Sequence, residues 1–254
     1  MKVQTVYHHT RYDNLRKIIT NKGVSFRGSY FEKFNQDDYE WTKQVASPII
    51  KRICDERGYK YTDDSSFKPI IISFGQEAES IYMWKEYADD YNGIQLILDY
   101  KIIKNYADER LDYFNKCTYL NDNTSDEIED YLRNSLSELR NIDVNNCQYN
   151  LEALSGLIKQ NRFGKENEIR YVHPYSIMFT VEYSEFIKNG DNAFHDTTPK
   201  ENDTECFIQL PQEVLLGIAI GYKSVDKIEE VRTYLRECGF DNIEIEIKKN
   251  NIEI

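Results

Sequence analysis

The sequence predicts an α+β domain with flanking helices and a helical insertion. Short strand-like runs occur in both halves of the chain and are not joined by regular helical crossovers, which disfavours a doubly wound sheet. Hydrophobic residues make up 40% of the 254 residues, a share that supports a substantial core and excludes wholesale disorder. The length fits one large domain, so we treat residues 1–254 as a single domain.

Hydrophobic periodicity places the first elements. A run rich in β-branched and aromatic residues predicts a strand over residues 3–10. Apolar spacing from Leu15 to Ile19 predicts a helix that ends at Gly23, a residue type favoured just beyond a helix. Ser47 and Pro48 predict the N-cap and first turn of a second helix. The next predicted elements are a strand over 69–74, a helix carrying Ile81, Trp84, Tyr87, Ala88 and Tyr91, and a strand over 94–98.

The middle of the chain differs in character from both ends. Residues 121–146 are polar and acidic, yet apolar residues recur on one helical face, which predicts a helical insertion over 121–160. Strands return from Glu166, and a long polar loop is predicted over 189–204. A last helix is predicted from Ser224 to near Gly239. The predicted strands of this half are 168–172, 177–181, 206–210, 217–220 and 243–247.

Charge and composition exclude several classes of protein. A net charge of -12 disfavours bulk, non-specific binding of nucleic acid, but it permits a small basic site. No apolar run approaches the roughly 20 residues of a membrane-spanning helix, and the N-terminus lacks the apolar core of a signal peptide. We therefore expect a cytoplasmic protein without a membrane partner. The five cysteines form no C-x-x-C pair and the four histidines form no H-E-x-x-H motif, so no metal site is expected.

The segment from Glu166 to Arg170 is the most suggestive candidate site. On a strand, Glu166, Glu168 and Arg170 share one face, with neighbours about 6–7 Å apart. Two carboxylates at that spacing repel, which raises one pKa, while Arg170 lowers the other. Such a pair can hold a ribose hydroxyl and stabilise a developing cation. A solvated strand face with an ion pair explains the same spacing and is the commoner case.

Other candidate residues also have two explanations. Lys159, Arg162 and Lys165, together with Arg170, suggest a phosphate site, or a solvated helix end and loop. His8 and Thr10 share a face of the first strand, where they could orient a ligand or serve the structure through hydrogen bonds. The remaining candidates are Ser73, at the end of a buried strand, and Tyr87 and Tyr91, whose spacing is more typical of a core than of a stacking platform.

Four motifs in order resemble a bacterial family called domain of unknown function 2971. Its N-terminal signature resembles Tyr7-His8-His9-Thr10, and an acidic motif resembles Gln36-Asp37-Asp38-Tyr39-Glu40. The closest similarity is to its block of a lysine, an aromatic residue, E-x-E and an arginine. The remaining matches are Ser73-Phe74, Met83-Trp84, Tyr87-Ala88, Asn92-Gly93-Ile94, Lys159, Phe163, Glu166, Glu168, Arg170, Leu210-Pro211 and Leu216-Gly217 to Gly221.

A more distant resemblance is to ADP-ribosyltransferases of the DNA-modifying toxin and RNA 2′-phosphotransferase types. His8-x-Thr10, Ser73-Phe74 and Glu166-x-Glu168 occur in the order of the histidine, serine and glutamate strands of those enzymes. This resemblance implies a mixed, split β-sheet of ADP-ribosyltransferase-like type, with NAD bound as substrate between its halves. Fold alone does not establish the activity.

The same resemblance implies a role for each candidate. Glu168 would stabilise the ribosyl cation, Arg170 would keep Glu168 ionised, and Glu166 would activate an acceptor. The cofactor-binding candidates are His8 and Thr10 for the nicotinamide amide or ribose, Ser73 for support of Glu168, Tyr87 or Tyr91 for ring stacking, and Lys159, Arg162 or Lys165 for the pyrophosphate.

Three functions remain open on the sequence. The first is an NAD-consuming transferase or hydrolase, which the resemblance implies for a bacterial toxin or antiphage effector with a macromolecular acceptor. The second is a non-catalytic module that senses a nucleotide or a phage component. The third is a metal-dependent nuclease that uses Glu166, Glu168 and Asp37.

Overall fold

The computed structural model describes residues 4–31, 36–62, 69–121, 125–138, 147–174 and 205–249. The strands are β1 (Thr5–Thr10), β2 (Ile19–Thr20), β3 (Gly23–Tyr30), β4 (Ile70–Gly75), β5 (Ile94–Asp99), β6 (Tyr113–Lys116), β7 (Thr118–Leu120), β8 (Ile158–Gln160), β9 (Glu168–His173), β10 (Glu205–Leu210), β11 (Leu215–Gly221) and β12 (Glu244–Lys248). The α-helices are α1 (Leu15–Ile18), α2 (Gln36–Glu56), α3 (Ile81–Glu86), α4 (Tyr100–Glu109), α5 (Ser125–Glu138), α6 (Cys147–Ser155) and α7 (Ile228–Glu237). Four 3-10 turns are Tyr12–Asn14, Asn161–Glu166, Gln212–Val214 and Tyr222–Lys227.

Ten of the described strands form one mixed, curled sheet. Its main order is β10-β3-β4-β1-β5-β11-β12, and β9 pairs with β4 and β6. One edge of β4 pairs with β3 through Ile70 and Ile71 but with β1 through Gly75, so the sheet divides along this strand. The other edge pairs with β9 over its whole length. β12 runs parallel to β11, which makes the sheet mixed, and the predicted α+β class is confirmed.

Two hydrophobic cores cover opposite faces of the sheet. Side chains alternate along β4, so Ile72 and Phe74 enter the first core while Ile71 enters the second. The same alternation on β9 sends Tyr171 to the first core and Val172 to the second. Helices α4 and α7 cover the first face, and α2, α5 and α6 cover the second. Glu168 and Arg170 therefore project into the layer between the sheet and the second set of helices.

The second predicted helix begins too late, because the structure extends it N-terminally to Gln36. Pro48 lies inside this helix rather than in its first turn. Its buried stripe continues upstream in steps of four residues through Ala46, Thr42 and Asp38, which are 1%, 2% and 0% exposed. Because Thr42 and Asp38 are polar, apolar periodicity does not predict the first two turns of this helix.

Three other element boundaries also differ from the sequence-based expectation. Helix α1 ends at Ile18, and Gly23 opens strand β3 at φ 120°. A Cβ at Gly23 would lie 2.2 Å from the Leu210 carbonyl oxygen, so close strand packing requires this glycine. Helix α3 ends at Glu86, and the chain then turns through Asp89, Asp90 and Tyr91 with φ values of 50°, 49° and 67°. Strand β3 and helix α4 were not predicted.

The predicted helical insertion is described in part. Helices α5 and α6 pack on α2, whereas residues 158–160, at the end of the predicted range, form strand β8. The strand expected over 177–181 and the loop expected over 189–204 lie outside the described residues. Within the described ranges, no helix has both the length and the apolar character needed to cross a bilayer.

Glu152 of α6 provides a pH-dependent prediction for this helical layer. Burial raises its pKa from 4.5 to about 7, opposed by a hydrogen bond from Gln148, and its Oε2 has no hydrogen-bond partner among the described residues. Because the folded pKa is raised, the free energy of unfolding falls as the pH rises from about 4.5 to about 7. We expect Glu152→Gln to stabilise the protein by about 1–3 kcal/mol at pH 8.

Urea unfolding of the wild type and Glu152→Gln at pH 5 and pH 8 checks this expectation. The stability difference is expected to be small at pH 5, where the folded wild type holds the proton. An equal difference at both pH values would contradict a titrating Glu152. Glu213→Gln, on an exposed turn, is the matched control for the change of charge.

Candidate functional site

Five ionisable side chains meet beneath the second set of helices, and we call them the carboxylate cluster. They come from four separate parts of the fold: α2, β8, the 3-10 turn Asn161–Glu166, and β9. All five are at most 7% exposed. The members are Asp38, Lys159, Glu166, Glu168 and Arg170.

Glu168 lies at the centre of the carboxylate cluster, and both of its carboxylate oxygens have partners. Oε1 accepts hydrogen bonds from the Ser73 hydroxyl and from Arg170 Nε, the latter at 3.0 Å. Oε2 accepts a hydrogen bond from Lys159 Nζ at 2.7 Å. Burial acts to raise the pKa of Glu168, but Arg170 and Lys159 outweigh it and hold the pKa at about 2. Glu168 is therefore ionised at neutral pH.

Arg170 is completely buried and connects the sheet to the helices. In addition to Glu168, its guanidinium donates to Asp38 Oδ2 at 2.9 Å and to the Gly156 carbonyl oxygen at 2.7 Å. The Phe31 ring lies 5.6 Å from the guanidinium carbon. Because Arg170 joins β9 to α2 and to the end of α6, its charge has a structural role as well as an electrostatic one.

Lys159 brings the three carboxylates together. Its Nζ lies 2.5 Å from Glu166 Oε2, 2.7 Å from Glu168 Oε2 and 3.5 Å from Asp38 Oδ2. Burial would lower the pKa of Lys159, but the surrounding carboxylates raise it above the usual value, so the ammonium stays charged. A buried ammonium among carboxylates satisfies the charges that burial would otherwise make costly.

Glu166 differs from its expected position but joins the carboxylate cluster nevertheless. The strand begins at Glu168, and Glu166 ends a 3-10 turn. Asn167 between them has a left-handed φ of 42°, and its side chain bonds Gln76 and Glu77. This local reversal turns Glu166 toward Lys159. Burial raises the pKa of Glu166 and Lys159 opposes that rise, whereas Arg170 and Lys159 lower the pKa of Glu168. The unequal pKa values therefore arise chiefly from burial and from Lys159, not from the two carboxylates sharing one strand face.

Asp38 is the member of the carboxylate cluster that sequence reasoning missed. The sequence analysis instead named its neighbour Asp37, whose side chain is 76% exposed and whose Oδ2 lies 3.8 Å from Arg162 Nη2. The signal that could have found Asp38 is its place on the i+4 stripe of α2 with Thr42 and Ala46. A buried helix face that contains an acidic residue implies a basic partner elsewhere in the fold.

The four basic candidates separate into two sets. Lys159 and Arg170 are buried among carboxylates, whereas Arg162 and Lys165 lie on the exposed side of the turn that ends at Glu166. Arg162 is 57% exposed and lies 4.7 Å from the centre of the Phe163 ring. The structure thus does not join all four residues into one exposed basic patch. Only Arg162 and Lys165 are placed on the surface.

His8 lies on the face of the sheet opposite to Glu168. Its ring packs 4.8 Å from Phe26 and 5.8 Å from Phe74, both in the first core. Its Nδ1 donates to the Ser73 carbonyl oxygen at 3.0 Å, and burial lowers its pKa. His8 therefore contacts Ser73 through the backbone only, while the Ser73 hydroxyl reaches Glu168 on the other face.

His9 projects from the opposite face of β1, the face that Ser73 and Glu168 share. Its Nε2 accepts from Gln95 Nε2 at 2.8 Å, and its ring meets the edge of Trp84 at 5.3 Å. Burial lowers the pKa of His9 to about 3, so the ring is neutral. Strand register decides which of the two histidines faces Glu168, and the dipeptide His8-His9 gives no signal for it.

The two aromatic candidates, Tyr87 and Tyr91, lie in different environments. Tyr91 is buried and stacks on Trp84, with ring centres 5.3 Å apart and an interplanar angle of 6°. Tyr87 is 44% exposed and lies 6.3 Å from Tyr82, a residue that was not predicted. Burial and then the charge of Glu166 raise the pKa of both Tyr82 and Tyr87. Helix α3, which carries Tyr82, packs against the turn that ends at Glu166.

Two further candidates, Thr10 and Asp37, lie outside the carboxylate cluster. The Thr10 hydroxyl is buried and accepts a hydrogen bond from Asn14 Nδ2 at 2.9 Å. Asp37 is exposed, so it does not join Glu166 and Glu168 in the arrangement expected for a nuclease. In the described part of the chain, no group of three His, Cys, Asp or Glu side chains is arranged to hold a metal ion.

Comparison with known families gives one match. Residues 83–171 match the model of a family described as a protein of unknown function (DUF2971). This segment carries Lys159, Glu166, Glu168 and Arg170, four members of the carboxylate cluster. Comparisons with curated proteins and with solved structures give no match. Over residues 83–171, the resemblance to the family of unknown function DUF2971 is confirmed.

Proposed function

We propose that this protein binds NAD beside Glu166 and breaks the bond between nicotinamide and ribose. The observation that carries the proposal is the position of Glu166 at one end of the carboxylate cluster. One of its oxygens accepts a hydrogen bond from Lys159, and α3, which carries Tyr82, packs against the turn that ends at Glu166. Arg162 and Lys165 are on the same turn as Glu166, where they can meet a pyrophosphate.

The chemistry requires a negative charge that is in place before the reaction begins. Departure of nicotinamide leaves a ribosyl cation, and a preorganised carboxylate lowers the energy of that charge. Glu166 is the carboxylate that we assign to this contact. Glu168, whose two oxygens already have partners, acts through Lys159, because Lys159 bonds both glutamates and thereby orients Glu166.

This assignment exchanges the roles that the distant resemblance implies for the two glutamates. The hydrogen bonds of Glu168 to Ser73, Arg170 and Lys159 support a positioning role. Transfer of ADP-ribose to a protein or nucleic acid and hydrolysis of NAD share this first step. We also propose a role as a bacterial toxin or antiphage effector, with which the consumption of NAD in either reaction is consistent.

Nicotinamide release from NAD, with and without cell extract, tests the proposal. We expect Glu166→Gln to lower the rate by about 100-fold or more, the usual cost of removing one preorganised electrostatic group. The amide keeps the shape of the side chain, so the variant is expected to remain folded. Glu213→Gln is the control and is expected to retain the wild-type rate. Equal rates in Glu166→Gln and the wild type would refute the assignment.

A non-catalytic nucleotide sensor is the second candidate, and one observation favours it. Glu168 is 2% exposed and all of its carboxylate bonds are made within the protein, an arrangement typical of a structural ion cluster. A sensor would gain thermal stability with NAD and release no nicotinamide. Turnover that depends on Glu166 would exclude this candidate.

A further inference from the structure

The hydroxyl of Tyr119 reaches the carboxylate cluster from the strand next to Lys159. Strands β7 and β8 run parallel with Tyr119 paired to Lys159, so both side chains leave the same face of this small sheet. The Tyr119 oxygen accepts a hydrogen bond from the backbone N–H of Glu168 at 2.8 Å. Tyr119 therefore contacts the residue whose carboxylate lies at the centre of the carboxylate cluster.

The Tyr119 hydroxyl keeps a donor for a further partner. A phenolic hydroxyl both accepts and donates, and the N–H of Glu168 occupies only its accepting side. Within the described ranges, no protein group accepts the remaining proton of this hydroxyl. Burial raises the pKa of Tyr119, so the proton is retained at neutral pH. Tyr119 is partly exposed, whereas the five members of the carboxylate cluster are buried, so its donor lies at the edge of the cluster.

The surroundings of Tyr119 indicate which kind of ligand atom this donor meets. Strand β7 packs against the 3-10 turn Asn161–Glu166. Asn161 Nδ2, at the start of that turn, donates to Asn121 Oδ1 at 3.1 Å, two residues beyond Tyr119. The same turn carries Arg162 and Lys165 on its exposed side. A hydroxyl donor close to two cationic side chains suits an anionic oxygen, and a phosphate group presents several of them.

The bond between Tyr119 and Glu168 also has a structural consequence. The backbone N–H of Cys117 donates to the Glu168 carbonyl oxygen at 2.9 Å, so the segment 117–119 holds both backbone groups of Glu168. Removal of the Tyr119 hydroxyl leaves the N–H of Glu168 without its acceptor. A direct contact with the ligand therefore has to be distinguished from a displacement of Glu168.

We infer that Tyr119 binds the ligand directly, by a hydrogen bond from its hydroxyl to a phosphate oxygen of the dinucleotide. The inference rests on the proposed function and adds a binding residue that lies outside both the E-x-E segment and the basic turn. No covalent bond changes in this contact. Tyr119 therefore contributes to the affinity for the phosphate portion of the ligand and not to that for its nicotinamide portion.

Titration with two carbocyclic ligands, followed by ligand-observed NMR, tests the inference. Carbocyclic NAD⁺ contains the pyrophosphate, whereas carbocyclic nicotinamide riboside has the same pyridinium ring and no phosphate. Neither ligand has a cleavable glycosidic bond, so binding is measured without turnover, and the method detects weak binding. The proteins are the wild type, Tyr119→Phe and the control Tyr222→Phe. Tyr222 follows β11 and is 38% exposed, so the control removes a hydroxyl from a surface tyrosine.

Tyr119→Phe is expected to bind carbocyclic NAD⁺ about tenfold more weakly than the wild type, and to bind the riboside with unchanged affinity. Tyr222→Phe is expected to match the wild type with both ligands. An equal loss of affinity for both ligands would show a displaced Glu168 and overturn the inference. Unchanged affinity of Tyr119→Phe for carbocyclic NAD⁺ would also overturn it and leave the proposed function intact. Failure of the wild type to bind either ligand would overturn the proposed function, and the inference with it.

Discussion

Arg170→Met is expected to lower the free energy of unfolding by about 3–5 kcal/mol. The substitution removes the guanidinium that bonds Glu168, Asp38 and the Gly156 carbonyl oxygen, and none of the released groups can reach water. An uncompensated buried carboxylate is more costly than a broken surface ion pair. The measurement is urea unfolding at pH 7.

Arg232→Met is the matched control for this prediction. Arg232 pairs with Glu229 on the surface of α7, where its side chain is 42% exposed, so its loss is expected to cost at most about 0.5 kcal/mol. The double variant Asp38→Asn with Arg170→Met is expected to recover part of the lost stability, because one of the two stranded charges is gone. A loss in Arg170→Met no larger than in Arg232→Met would contradict the structural role of the carboxylate cluster.

Lys159→Met is expected to have an effect of similar size, about 3–5 kcal/mol at pH 8, and to abolish nicotinamide release if the proposed function holds. Without the ammonium, Glu166 and Glu168 face each other with one fewer positive charge, and the pKa of both carboxyls rises. A raised pKa in the folded state makes the free energy of unfolding fall as the pH rises. The destabilisation is therefore expected to be smaller at pH 5 than at pH 8.

Thermal and urea unfolding at both pH values test this second prediction. Arg162→Met, on the neighbouring turn, is the control, because its side chain is 57% exposed and its carboxylate partner is 3.8 Å away. We expect a change of at most about 0.5 kcal/mol in that control. A destabilisation in Lys159→Met that does not depend on pH would show that lost packing, rather than stranded carboxylates, is the cause.

Lys159→Met, compared with Glu166→Gln, distinguishes an effect on stability from an effect on activity. Lys159 orients Glu166 in the proposed reaction, so its loss is expected to remove activity at pH 5 as well, where much of the stability remains. Glu166→Gln removes activity without a comparable loss of stability. Comparison of the two variants distinguishes a site built on the carboxylate cluster from a cluster that serves the fold alone.

Local patterns in the sequence predicted much of the secondary structure. Continuous apolar residues predict β4, β5 and β11, which the structure confirms. The E-x-E segment marks Glu166 and Glu168 as candidate site residues. The strand predictions succeeded because an apolar run is a property of neighbouring residues.

The predictions that failed concern residues whose environment is made by distant segments. Asp38 was not predicted as a site residue, yet it accepts a hydrogen bond from Arg170, which is 132 residues away in the chain. Helix α2 was predicted too short because its first buried turns carry Asp38 and Thr42, polar residues that only a partner from another element can satisfy. His8 was favoured over His9, although strand register places His9 on the face of Glu168.

The sequence by itself determined the α+β class and the family resemblance over residues 83–171, and it placed Glu166, Glu168 and Arg170 in one candidate site. The tertiary structure alone decided which charges neutralise them. Lys159 and Asp38 reach the carboxylate cluster from separate elements. Burial within this cluster raises the pKa of Glu166, whereas Arg170 and Lys159 hold the pKa of Glu168 at about 2. Electrostatic energies depend on distance and on exclusion of water, and both quantities are set only when the sheet and its helices close over the five side chains.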